Sequence, residues 1–201
     1  MAIGDASDAR AVLVVLHGGA TSLRSINYLT VGGILATPCA LASVNGGVTA
    51  IYGALVPSGT TADVVLAWSG SQDRSACSTY ATEDIASFTP FDTGSDLDNS
   101  SPYSTSLDIP EGGFALAGLG THNSSSGTFT WSGLSGDAQV NVESNRWFVS
   151  GSGSFASAQT GLTTQVAFSG SSGVGRPFLA ASFSPRPKVA PKFHHYRQRR
   201  I

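Results

Sequence analysis

Short stretches of β-branched and apolar residues recur along this chain, separated by Gly, Ser, Asn and Pro turns at spacings of roughly 8 to 15 residues. No window of a dozen residues sustains the periodicity of an amphipathic helix. Only residues around Glu83 to Ala86 suggest a helical turn. That rhythm predicts an all-β chain, a jelly-roll-like antiparallel β-sandwich with an extended C-terminal arm. At 201 residues the chain is long enough to bury a core without help from a metal or disulfide. Charged residues make up 12% of the chain, about half the usual share, and Gly contributes 24 residues.

The strands can be placed individually. Val12 to Leu16 is apolar throughout and suits a strand buried on both faces. Val48 to Val56 and Ala62 to Trp68 flank the turn Pro57-Ser-Gly-Thr60 and read as a hairpin. Further strands are expected at Ser75 to Ala81, Tyr103 to Ile109, Gly113 to Leu119, Thr128 to Trp131, Ala138 to Val142, Arg146 to Val149, Leu162 to Phe168 and Pro177 to Phe183. Asn123 to Gly127 reads as a loop tip.

The net charge of −2 hides a segregation. Residues 1–184 hold all 13 acids and five arginines, a net −8, whereas residues 185–201 hold six cations and no acid. The chain therefore divides into a sandwich domain, 1–184, and a basic Pro-rich attachment tail, 185–201. Pro185, Pro187 and Pro191 favour an extended path. Arg186, Lys188, Lys192, Arg197, Arg199 and Arg200 supply the charge, and Phe193 and Tyr196 are aromatic anchors among them. Such an arm suits an acidic protein surface, either another copy's body or a different protein. Nucleic acid is disfavoured, because the body would repel phosphate.

Catalytic motifs are sparse. Val14-Val-Leu-His-Gly-Gly19 resembles an esterase oxyanion loop, but the Gly-x-Ser-x-Gly elbow such enzymes need is missing. His17 then reads as a surface residue before a Gly-Gly turn, and no enzyme activity or cofactor is expected. Asp92, Asp96 and Asp98 form an acidic loop, and sequence alone leaves calcium binding there open. Adjacent His194 and His195 point apart on an extended chain and suit no metal. Cys39 and Cys77 read as buried thiols, with their pairing left open. Trp68, Trp131 and Trp147 are core aromatics or, on a concave sheet, a platform for stacking sugars. No apolar run reaches membrane-spanning length, so no membrane partner is expected. Ala11 to Leu16 is too short, and too acidic in its flank, for a secretory signal.

Val56-Pro-Ser-Gly-Thr-Thr-Ala-Asp-Val-Val-Leu-Ala-Trp-Ser-Gly-Ser71, the Cys-bearing strand at Arg74-Ser-Ala-Cys77, the Asp-rich stretch 92–98 and the turn Ile109-Pro-Glu-Gly-Gly113 follow one another in order. Together, over roughly residues 11–183, they resemble small β-sandwich virion proteins of tailed bacteriophages and prophages. The resemblance implies a structural component of the virion, assembled in the host cytoplasm as a homo-oligomer (a trimer, for instance). It would decorate the capsid or form a small head or tail appendage, with no catalytic residues. The basic tail lies outside the shared pattern. A carbohydrate- or receptor-binding module, taking a host-surface glycan were the tryptophans exposed, is the alternative expectation.

Overall fold

The computed structural model describes residues 1–187 except 99, 123–126, 144–145 and 171–173. Among the described residues fifteen strands follow in order. They begin with β1 (Ala11–Gly19), β2 (Ile26–Val31), β3 (Ile34–Leu35), β4 (Thr37–Val44) and β5 (Gly47–Leu55). Next come β6 (Val64–Trp68), β7 (Arg74–Thr82), β8 (Asp92–Asp96), β9 (Tyr103–Ile109) and β10 (Phe114–His122). The last are β11 (Phe129–Ser132), β12 (Ser135–Glu143), β13 (Arg146–Ser154), β14 (Gln159–Phe168) and β15 (Val174–Phe183). All pair antiparallel.

The strands make four sheets, ordered β3-β2-β6, β4-β5-β1-β7, β12-β13-β10-β15-β8 and β11-β14-β9. Three apolar cores show how they stack. Val12, Val14 and Leu16 of β1 meet Leu29 and Val31 of β2 in the first core. Leu13 and Val15, one step along the pleat, meet Phe148, Leu179 and Phe183 in the second. Ala115, Ala117 and Leu119 of β10 meet Tyr103, Leu107 and Val166 in the third. Successive residues of a strand face opposite ways, so the central strands of the two inner sheets, β1, β5 and β10 among them, are buried on both faces. At about 10 Å per layer, the outer sheets lie roughly 30 Å apart.

The antiparallel β-sandwich class holds. A jelly roll has two sheets and this chain stacks four, so the finer label is not carried forward. Val12 to Leu16 is buried on both faces as expected, with β5 and β7 closing its edges.

Several expectations need correction. Residues 48–68 are not a hairpin: β5 lies in an inner sheet, β6 in the outer one, and residues 56–63 carry the chain across. Gly18 and Gly19 form no turn but are the last two residues of β1, paired with β5 and β7, and Gly18 leaves room for the Trp68 ring. His17 is consequently buried. Residues 83–86 form no helix. Cys77 is exposed and Cys39 half-buried, and both thiols are free. They sit on opposite edges of one sheet, β4 and β7, three strand spacings or about 14 Å apart, beyond disulfide reach.

The acidic stretch is strand β8 rather than a loop. Asp92 accepts the backbone N–H of Thr93 and, at 2.8 Å, that of Asp108. Asp96 accepts those of Asp98 (2.8 Å) and Ser104 (2.9 Å). These carboxylates tie β8 to β9 where the chain passes from the third sheet to the fourth. Asp96→Ala should therefore cost about 1.5 kcal/mol in urea unfolding. Asp98→Ala, at an exposed position, should cost under about 0.5 kcal/mol. Equal losses for the two would refute the tie.

Candidate attachment site

The tail leaves the body at an acidic corner. After β15, Ser184 accepts the backbone N–H of Ala86 (3.0 Å), and the Arg186 N–H donates to Asp84 Oδ1 (3.0 Å). Pro185 lies over Gly112, whose φ of +70° belongs to the β9–β10 turn. Asp84, Glu111, Gly112, Ala156 and Pro185 to Pro187 surround an open hollow of about 580 Å³. Of the predicted attachment residues, Arg186 sits here; Lys188, Lys192, Phe193, Tyr196, Arg197, Arg199 and Arg200 lie outside the described residues.

Asp84 and Gly112 also border a second gap of about 320 Å³, between the two inner sheets. Leu13, Phe114 and Leu116 line it on the apolar side; Tyr80 to Thr82 and Ser152 to Ser154 line the rest. Its origin is local. Phe148 of β13 fills the space between the sheets, but Ser150, Ser152 and Ser154, at alternate positions on the same face, are too small to do so. Beside the gap, Tyr80 Oη donates to Asp137 Oδ2 (3.0 Å) and contacts Ser150 Oγ (2.9 Å). Burial, together with the nearby Asp137 carboxylate, pushes the Tyr80 pKa up.

At the other end of the same interface, His17 Nδ1 lies 3.1 Å from Thr49 Oγ1, which donates to the Pro177 carbonyl (2.7 Å). The one hydroxyl hydrogen is thus committed, so His17 Nδ1 must be the donor to Thr49. The imidazole lies flat on Gly120, where a Cβ would overlap it. His17, Arg74 and Arg146 border a cavity of about 10 Å³, room for one water.

The three tryptophans do not form one platform. Trp68 packs on the first core, over Gly18. Trp131 covers Gly136 and Gly151, 6.2 Å from Phe178, and Trp147 lies 6.2 Å from Phe129. Trp131 borders an open groove of about 200 Å³, with Phe129, Asp137 and Gln139, and Trp147 borders the small cavity beside His17. Among the described residues no three His, Cys, Asp or Glu side chains are grouped to hold a metal ion.

Sequence reasoning named the tail as the candidate site and missed the gap beside its root. The signal was the Ser-Gly alternation at 150–154, which marks a strand that cannot fill the space it faces. Comparison with models of known families, with curated proteins and with solved structures finds no match to this chain.

Proposed function

We propose that this protein is a structural component of a tailed-phage virion, a capsid decoration or small head or tail appendage, held to its neighbours by its basic C-terminal tail. The observation that carries the attachment is the segregation of charge. A body of net −8 bears a tail of net +6, rooted against Asp84 and Glu111. Opposite charges on the two parts of one chain favour contact between copies, and closed symmetry limits such contact to a defined oligomer. Four mutually buried sheets suit a stiff repeated unit. The phage assignment rests on the order of the sequence motifs.

The three cores end at Phe183, so removing residues 185–201 should preserve a cooperative melt. Light scattering of the full chain beside residues 1–184, across a salt series, tests the attachment. The full chain should form an oligomer that dissociates as salt rises, and the truncation should be monomeric. Monomers at every salt concentration would overturn self-attachment. They would favour a second reading, glycan binding at the Trp131 groove, where an aromatic ring stands beside Asp137 and Gln139.

A further inference from the structure

The gap between the inner sheets is an underfilled place in an otherwise close-packed stack. Protein interiors leave few voids larger than a water molecule. Here about 320 Å³ stands open beside Leu13, Phe114 and Leu116, and the stacked Phe114–Phe183 pair (5.2 Å) stiffens that wall. An apolar cavity of about 150 Å³ accepts one benzene ring, so this gap matches roughly two. One acid stands at its mouth: Asp84 borders both the gap and the tail-root hollow, and Glu111 borders the adjoining hollow.

We infer that this gap is the receptor for the tail of a second copy of the chain, taking Phe193 and Tyr196 between the sheets while Lys188 and Lys192 meet Asp84 and Glu111. The inference rests on the attachment reading and supplies the surface that it lacks. The tail has two aromatic rings three residues apart, flanked by cations, and the gap has space for two rings and an acidic rim. A second copy is the occupant because of the path. Pro185, Pro187 and Pro191 favour an extended chain, which over the six residues from Pro187 reaches about 20 Å. The gap opens beside the tail's own root, where Asp84 and Gly112 border both, so a tail entering the gap of its own body would have to double back at once, which three prolines disfavour.

Cysteine trapping in the full chain tests this. In a Cys39→Ser, Cys77→Ser background, Ser154→Cys on the rim should pair with His195→Cys in the tail. Mild oxidation should give a covalent dimer or larger species on a non-reducing gel. Thr163→Cys, on the exposed face of an outer sheet, should not pair. Separately, Asp84→Lys with Glu111→Lys should weaken self-association about tenfold, and both residues are exposed and outside the cores. A link between the two introduced thiols that stays within single chains would overturn the second copy as occupant. If the truncation abolishes the oligomer while the cysteines fail to link and the charge reversals change nothing, the tail attaches elsewhere: the receptor is refuted and the attachment stands. If the full chain is a monomer throughout, both fail.

Discussion

Replacing Arg10 with alanine should destabilise the fold by about 3–4 kcal/mol, read as a lower urea midpoint at unchanged slope. Arg10 is 2% exposed. Its Nε donates to Val56 O (2.8 Å), one terminal nitrogen to Gly4 O (2.8 Å) and Asp5 O (2.6 Å), and the other to Ser58 O (2.7 Å) and Gly59 O (2.8 Å). Five donors meet five carbonyls, the full capacity of a guanidinium. Those carbonyls belong to the N-terminal segment and to the crossing that takes the chain from β5 in an inner sheet to β6 in the outer one. The backbone reinforces the joint, with Val56 N donating to Arg10 O (3.0 Å) and Ser7 N to Pro57 O (3.0 Å). Alanine would leave several carbonyls short of a donor and loosen the outer sheet. Lysine has three donors on a single nitrogen and cannot span the same fan, so Arg10→Lys should recover at most about half the loss. Because the partners are neutral carbonyls, the loss should hardly change with salt, in contrast to tail-mediated association. A loss below about 1 kcal/mol would mean that the bonds contribute little net stability.

The uneven legibility of this fold has physical causes. Period and composition report whether a residue is buried, so Val12 to Leu16 was readable as a doubly buried strand. They do not report which sheet a strand joins. Residues 48–68 look like a hairpin because two apolar runs flank a Pro-Ser-Gly-Thr turn, yet Arg10 holds that turn as a bridge between layers. Strand β4 was legible in principle. Asn45-Gly46, with φ values of 47° and 76°, is the two-residue turn that joins it to β5, and Gly32-Gly33 (58° and 78°) does the same for β2 and β3. Strand β8 was not legible. Asp-Thr-Gly-Ser-Asp carries no large apolar residue, and the stretch is extended because β15 pairs with it and its own carboxylates bind the backbone of β9. At the candidate site, charge segregation is a property of composition and could be read directly. The groove exists only once the serines of β13 stand opposite β7, a juxtaposition of residues some 70 positions apart in sequence.

Thr49→Val should cost about 2–4 kcal/mol, although it swaps a hydroxyl for a methyl at a site with no solvent exposure. The reason lies in β15. Its ladder with β10 breaks register between Leu119 and Thr121, and Pro177 falls in the break, opposite no residue of β10. The Thr49 hydroxyl, reaching from the neighbouring sheet, donates to the Pro177 carbonyl and accepts from His17 Nδ1. Valine removes the donor for one and the acceptor for the other, and each buried hydrogen bond lost costs about 1–3 kcal/mol. Thr49→Ser keeps both bonds and loses one methyl, so it should cost only about 1 kcal/mol. The comparison isolates the hydroxyl from the packing. A double-mutant cycle extends it to the histidine. His17→Leu should cost less in the Thr49→Val background than in the native one, by about 1 kcal/mol or more, since the Nδ1–H has then already lost this acceptor. Additive losses would mean that His17 and Thr49 are not coupled, and the polar contact of β1 and β5 with β15 would then reduce to the single bond from Thr49 to Pro177.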